Sequence, residues 1–307
     1  MDMPYRDIKS VLEQFDELVR YLKKQSREKV AVHVHITGGE PFLHPDIHKI
    51  LWLLRRFRYK YRYGIMSNGT VLNSRNLWLI KGLHLKAFQV SLDGNQETHD
   101  SIRGIGNFEK VIHALDQLAE WRIPARVSFT ANKENFHQFP QVAEVCRKHY
   151  VRTLWSDRYI PFDSQSKIHP LDKADMPEYV AILRRERENV ENQRCGLYVQ
   201  NYRALQFLGS EDSPYSCQAG DSLVTVDEHG NIFPCRRLPI PCGNIHTTSI
   251  LEVYRYNDVF KSLRQYEVSG KCKTCEYSKT CKGGERCFTY AISGKFDIPD
   301  LCCWLEK

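Results

Sequence analysis

Of the chain's eleven cysteines, nine fall between Cys217 and Cys303 in a sequence of 307 residues. Cys217 is separated from Cys235 by a segment containing Gly230, and Cys242 follows. Then comes Cys272-x2-Cys275-x5-Cys281-x5-Cys287, and the adjacent Cys302 and Cys303 complete the set. Thiolates are soft ligands. Short, unequal spacings broken by Gly230, Gly283, Gly284 and Gly294 let the backbone turn so that several sulfurs converge on a soft metal centre. Structural zinc on the C-x2-C run is the competing reading, although nine cysteines exceed one tetrahedral site.

A second set of chemistry-bearing residues is spread over the first half. Thr37-Gly38-Gly39-Glu40-Pro41, Ser67-Asn68-Gly69-Thr70 and Ser91-Leu92-Asp93-Gly94 are followed by His99, Asp100 and Arg103-Gly104. Glycines let a ligand lie against bare backbone, and Glu40 offers a carboxylate to an amino group. Asn68, Ser91 and Asp93 suit sugar hydroxyls, and Arg103 suits a carboxylate through a two-pronged contact. Together they describe a pocket for an amino acid joined to a nucleoside. Singly, each is an ordinary turn former.

The elements that must position these residues alternate in type. Ile8, Val11, Leu12, Phe15, Leu18, Val19 and Leu22 recur at helical spacing. Strand patterns over 30–37, 61–66, 86–92, 125–131 and 153–156 are separated by helical patterns over 47–57, 73–81, 108–121 and 138–149. Each polar motif falls where a strand ends. Repeated βα units predict a parallel sheet or barrel with its chemistry at the C-terminal strand ends. The expected domains are 1–162, a partial barrel; 163–213, a polar connector with a helix over 176–190; and 214–307, the cysteine-rich module. His33 and His35 alternate with Val32, Val34 and Ile36, which puts them on the strand face away from the helices. They are read either as lumen residues near substrate or as satisfied structural histidines. Cys146 reads as a buried helix residue and Cys195 as unligated.

Composition narrows the class. No apolar stretch follows Met1-Asp2-Met3-Pro4, so no signal peptide is expected, and no run approaches the roughly 20 apolar residues of a membrane span. The expected setting is cytoplasmic, away from membranes, where clustered cysteines argue for metal over disulfides. The formal charge of +7 overstates the basic character of a metal-loaded protein, because ligating thiolates add negative charge. Arg55-Arg56-Phe57-Arg58, Arg184-Arg185 and Arg236-Arg237 are scattered, the first two as solvated helix faces, so a nucleic-acid partner is not indicated.

Gly-Gly-Glu-Pro, Ser-Asn-Gly and Ser-Leu-Asp-Gly followed by Arg-Gly, in that order, resemble the radical S-adenosylmethionine (SAM) superfamily. The cysteine module resembles the SPASM domain, which binds auxiliary [4Fe–4S] clusters in one branch of that superfamily. The resemblance spans nearly the whole chain and implies a partial (β/α)6 barrel, lacking its first strand, plus a small α+β SPASM-like domain. By motif, Gly38, Gly39, Glu40 and Pro41 would hold the methionine amino group. Ser67, Asn68, Ser91 and Asp93 would line the ribose and methionine region. Arg103 would meet the methionine carboxylate, and Asn132 would lie near the adenine. Cys217, Cys235 and Cys287 would share one auxiliary cluster, with Cys242 as fourth ligand or an open iron. Cys272, Cys275, Cys281 and either Cys302 or Cys303 would hold another. In relatives that mature sulfatases an acid follows the cysteine matching Cys235. Arg236 stands there in this chain, which argues against that activity and leaves room for a carboxylate-bearing substrate.

Members of the superfamily carry C-x3-C-x2-C after the first strand, for the cluster that binds SAM. Here no cysteine precedes Cys146, and the expectation is a truncated start or a lost radical step, with this chain inactive as written. The resemblance implies an oxidoreductase that uses a 5′-deoxyadenosyl radical, most plainly on a ribosomally made peptide or protein. Its electrons would come from a donor such as a flavodoxin or ferredoxin. The rival readings are a non-catalytic iron–sulfur binding or electron-transfer protein and a zinc-stabilised interaction module.

Overall fold

A computed structural model describes residues 2–27, 30–83, 85–163, 165–201, 203, 205–209 and 215–305. Its elements begin with α1 (Tyr5–Gln25), β1 (His33–Ile36), α2 (Ile47–Arg56), β2 (Arg62–Ser67), α3 (Ser74–Lys81) and β3 (Leu85–Ser91). They continue with α4 (Gln96–Arg103), α5 (Asn107–Glu120), β4 (Ala125–Ala131), α6 (Phe139–Lys148), β5 (Thr153–Arg158), α7 (Met176–Gln193) and β6 (Tyr198–Gln200). The cysteine-rich part contributes β7 (Thr225–Val226), β8 (Asn231–Phe233), β9 (Gly243–Asn244), α8 (Ile250–Tyr256), α9 (Asp258–Arg264), α10 (Ser278–Cys281) and α11 (Arg286–Ser293). β1 to β6 form a six-stranded sheet in sequential order, and the pairs β1–β2, β3–β4, β4–β5 and β5–β6 are parallel. That is the topology the βα alternation predicts. β7, β8 and β9 form a small antiparallel sheet.

The segment 163–213, expected as a connector, does more. Within it α7 buries Met176, Tyr179, Val180, Leu183 and Val190, and β6 pairs with β5 in register Leu154↔Val199. It therefore supplies one more helix and strand to the sheet.

The chain divides into two compact units. One comprises Met1–Met66, Asn73–Lys86 and Gln218–Tyr266; the other Ser67–Leu72, Ala87–Cys217 and Glu267–Lys307. The cysteine-rich region is thus shared out between them. In the first unit, Leu18 of α1 packs with Ile232, Ile245, Ile250, Val253 and Phe260, flanked by Val11, Phe15 and Leu22. The apolar stripe of α1 is what that part of the cysteine-rich region folds against. Gln14 fixes the register: its amide donates to the Ile245 carbonyl (3.1 Å) and accepts from the Ile250 N–H (3.1 Å). On β1, the rings of His33 and His35 stack at 6.4 Å. His35 partners Gly64, where an added Cβ would lie 2.5 Å from the ring, so the missing side chain makes room for the imidazole.

In the second unit the core is continuous along β3–β6, with Phe88, Val90, Val127, Phe129, Leu154 and Val199 almost wholly buried. Tyr179 ties α7 to this sheet, its hydroxyl donating to Ser156 Oγ (2.7 Å) and accepting from Gln206 (3.0 Å). Cys146 is fully buried on α6, as its helical spacing predicts, and Cys195 is exposed. Among the described residues no helix is long and apolar enough to cross a membrane.

Candidate cofactor and cluster sites

Gly38 and Gly39 follow β1. Neither adopts a left-handed conformation, and a Cβ at either would meet nothing within 4 Å. The chain itself therefore needs glycine at neither position. What the two residues leave is bare, accessible backbone, the arrangement a small ligand uses for close approach. Glu40 caps the 3-10 turn over Pro41–Leu43, its Oε1 accepting from the Phe42 N–H at 3.1 Å, which fixes the loop beyond the glycines.

In the second unit one hydrogen-bonded network is built around Asp93 and Arg103. Asp93 is 1% exposed. Its Oδ1 accepts from the Thr130 N–H (2.8 Å) and its Oδ2 from Arg103 Nε (2.7 Å). Its N–H donates to His99 Nδ1 (3.2 Å), and its carbonyl accepts from Asn135 Nδ2 (3.0 Å). Both carboxylate oxygens of Asp93, expected to meet sugar hydroxyls, are thus committed within the protein. Their effect is to aim Arg103, which is held by Nε and is more than one-third exposed. An arginine gripped at Nε presents its terminal nitrogens as a fork, the geometry for a carboxylate. Ser67 is buried and its Oγ accepts from the Gly69 N–H, Asn68 accepts from Thr70, and Ser91 Oγ lies 3.5 Å from Ser128 Oγ.

Asn132, expected near an adenine, is buried and accepts from the Glu134 N–H (2.9 Å) as the start of a tight turn. Asn135 was not singled out from the sequence and His99 was noted without a role, yet both hold the Asp93 loop. Asn135 also accepts from the Asn132 N–H and donates to the Thr130 carbonyl. Burial lowers the His99 pKa below 6.5, which keeps the ring neutral, and accepting at Nδ1 places its proton on Nε2.

The cysteines separate by environment. Cys272, Cys275, Cys281 and Cys303 line one cavity whose other walls are mainly apolar, with Leu205, Phe207, Leu208, Tyr277 and Leu305 joined by Ser278, Gly283 and Asp300. Burial pushes the Cys281 thiol up to about 12, and burial followed by the neighbouring Cys303 and Cys275 raises Cys272. These four cysteines share the lining of one cavity, the arrangement a thiolate-bound metal centre needs. Among the described residues no three His, Cys, Asp or Glu side chains close around a single ion. With Zn–S bonds of about 2.3 Å, a zinc site draws its sulfurs tightly together, whereas a four-iron cluster spreads them over its corners.

Cys302 points elsewhere: its Sγ donates to the Leu171 carbonyl at 3.3 Å, and burial pushes its thiol up to about 11. Of the two neighbours, Cys303 is the one that lines the cavity. Cys242, the expected fourth ligand where the iron is not left open, is packed in the apolar cluster beneath α1. Its Sγ donates to the Ile240 carbonyl (3.2 Å), and burial pushes it up to about 11. Cys217 is partly exposed, and Cys235 is buried with the Arg237 N–H 3.4 Å from its sulfur. Cys287 is buried and bonds Glu285 Oε1 at 3.2 Å.

One buried ion cluster holds the four-thiol cavity in shape. Arg158, at the end of β5, donates to Asp300 (2.6 and 3.0 Å) and Glu285 (3.0 Å) and lies 4.2 Å above the Phe288 ring. Asp300 in turn accepts from the Glu285 N–H (2.9 Å) and the Cys302 N–H (3.0 Å). Its own N–H donates to the Gly283 carbonyl (2.9 Å) and its carbonyl accepts from the Cys303 N–H (3.1 Å). Gly284 has φ +86°, and a Cβ there would lie 2.5 Å from Asp300, so only glycine permits this approach. Lys271, next to Cys272, donates to the carbonyls of Cys303 and Leu305, drawing the two ends of the set together.

The description of the radical SAM superfamily matches residues 3–146, and that of the SPASM iron–sulfur cluster-binding domain matches residues 217–276. The chain belongs to the radical SAM superfamily and carries a SPASM domain. Its cofactors are accordingly SAM and [4Fe–4S] clusters. An AdoMet-dependent heme synthase of Methanosarcina barkeri is 28% identical over 291 residues, covering 85% of this chain and 79% of the relative. The mycofactocin maturase MftC of Mycobacterium ulcerans is 26% identical, covering 88% and 74%. Among solved structures, SuiB of Streptococcus suis superposes with a TM-score of 0.74 at 17% identity, covering 95% of this chain and 71% of that one. The likeness to SuiB shows the fold: an α/β radical SAM architecture with its parallel sheet.

Proposed function

We propose that this radical SAM/SPASM chain belongs to a maturase of ribosomally made peptides, with an auxiliary [4Fe–4S] cluster on Cys272, Cys275, Cys281 and Cys303. The observation that carries the cluster assignment is the convergence of those four thiols on one apolar-walled cavity. A bound SAM would supply a 5′-deoxyadenosyl radical, with methionine as the other product, on accepting one electron from a reduced [4Fe–4S] cluster; no cysteine precedes Cys146, so the three-cysteine motif for that cluster is not among this chain's residues. The protein's share is to bind and orient. Gly38 and Gly39 leave backbone open to an amino group. Arg103, aimed by Asp93, offers a fork to a carboxylate. Around the thiol cavity, Leu205, Phe207, Leu208 and Leu305 would limit solvent access to a cluster, which tunes its potential. A small acidic redox protein of the flavodoxin or ferredoxin type would supply electrons.

The peptide substrate is supported by the relatives named as maturases, among them MftC, and by the fold neighbour SuiB, which has been crystallised with a precursor peptide, SuiA. The relatives named as heme synthases, at 23–28% identity, support a second reading, a carboxylate-bearing tetrapyrrole. Binding separates the two. The anaerobically reconstituted protein is titrated with the short peptide encoded nearest its gene, followed by fluorescence anisotropy, and with an iron tetrapyrrole, followed by its Soret band. Saturable peptide binding with an unmoved Soret band is expected; a shifted Soret band without peptide binding replaces the peptide reading with the tetrapyrrole one.

A further inference from the structure

Between Asp46 and Asp93 the chain carries nine Lys or Arg residues and no Asp or Glu. Within that stretch α2 and α3 each bear one outward stripe with the same layout. On α2 it is Lys49-x2-Trp52-x2-Arg55; on α3 it is Arg75-x2-Trp78-x2-Lys81. Residues three and six apart share a helix face, so each stripe presents a tryptophan between two cations.

The two stripes meet. Trp52 and Trp78 pack edge to face with centroids 6.2 Å apart, and the Arg55 guanidinium lies 4.9 Å from one ring and 5.5 Å from the other. Gly82, which closes α3, allows this: a Cβ there would lie 2.9 Å from the Arg55 guanidinium carbon. His48 on α2 reaches Asn76 on α3 at 3.2 Å and braces the pair. Yet Trp52 is 51% and Trp78 53% exposed, while Arg56 and Arg75 stand in solvent beside them. Lys49 is tied to Asp46 (2.7 Å) at the edge of the patch. One exposed tryptophan needs no explanation. Two, locked in one arrangement by an arginine and ringed by cations, have the composition and rigidity of an interface centre.

We infer that the α2–α3 face is a docking surface for an acidic segment of a partner protein, one that brings an apolar anchor to the Trp52–Arg55–Trp78 cluster. Charge complementarity points to an acidic partner, since this stretch offers cations and no carboxylate. Two other anionic partners fit less well. A membrane-surface helix turns a broad apolar face outward, whereas each stripe here holds a single apolar residue and the apolar sides of α2 and α3 are buried. A nucleic acid stacks bases on open ring faces, and here Arg55 already covers both rings. The inference stands apart from the reaction proposed above and holds whichever substrate is used.

The test uses the full chain and a fluorescein-labelled peptide rich in Glu and Asp with two Phe residues one helical turn apart. Parallel arms use a single-stranded oligonucleotide of equal charge and phosphatidylserine vesicles. Anisotropy should show salt-sensitive peptide binding that protects tryptophan fluorescence from acrylamide quenching. Trp52→Ala with Trp78→Ala, and separately Arg56→Glu with Arg75→Glu, should each weaken binding at least roughly tenfold. All four side chains are exposed, so an unchanged thermal midpoint confirms the fold of the variants. Absent peptide binding, binding indifferent to both pairs of substitutions, or displacement of the peptide by the oligonucleotide or the vesicles overturns the inference.

Discussion

Asp93 and the paired glycines Gly38 and Gly39 do opposite things for a ligand. Asp93 spends every polar atom inside the protein to fix Arg103, whereas the glycines withhold side chains that the chain has room for. Gly38→Ala or Gly39→Ala should therefore change unfolding free energy by no more than about 0.5 kcal/mol, the range of inert surface substitutions. The same substitutions should weaken SAM binding measured by calorimetry; unchanged affinity would place the ligand elsewhere. His99 adds a pH signature. Its folded pKa lies below 6.5, so folding favours the neutral ring. Stability from this group is complete above pH 6.5 and is lost as pH falls below it, because the unfolded chain then binds the extra proton. Thermal midpoints measured from pH 7.5 to 5 should fall, and His99→Gln should flatten that fall.

Arg158 is the residue on which the thiol cavity depends most. Arg158→Met strands Asp300 and Glu285 as buried charges, and removing one partner of such a cluster costs about 3–5 kcal/mol. Urea denaturation should show that loss, with iron retention at the four-cysteine site falling in step. A variant as stable as the parent would mean that the carboxylates take up protons at little cost.

Among the elements, α1 has the clearest structural duty. Its Leu18 side chain sits in the cluster with Ile232, Ile250 and Phe260, and Leu18→Ala should cost about 2–5 kcal/mol. Much of this scale is legible in sequence. The 3.6-residue pattern from Ile8 to Leu22 is α1, and Asn73 caps α3 through its side chain, as a turn-forming residue before a helical run should. β6 was hidden because it is three residues long and lies in a polar stretch, where alternation has no length over which to show. The turn through Gly283 and Gly284 was visible as glycine but not as an Asp300 seat, since that partner lies on another loop. Gly284→Ala should displace Asp300 and lower iron content together with thermal stability.

For the whole molecule, long-range pairing is what sequence could not supply. Arg158 meets Asp300 across 142 positions, and Asn135 meets Asp93 across 42, so neither partnership leaves a local pattern. The neighbours Cys302 and Cys303 are indistinguishable by spacing, and only the fold turns one toward the cavity and the other toward Leu171. Cys242 entered the metal set through the family resemblance, and its surroundings are those of a small apolar side chain. Its raised pKa predicts that iodoacetamide at pH 8 modifies Cys195 while leaving Cys242 and Cys146 intact, as peptide mass mapping would show.

The central claim, an auxiliary cluster on Cys272, Cys275, Cys281 and Cys303, is tested most directly by counting metal. Iron and acid-labile sulfide per chain are measured after anaerobic reconstitution of the parent, Cys302→Ala and Cys303→Ala proteins. The account predicts that Cys302→Ala keeps the parent's iron, whereas Cys303→Ala loses about four irons or holds them labile to chelator. Equal iron in both variants, loss confined to Cys302→Ala, or a colourless protein with stoichiometric zinc would contradict it.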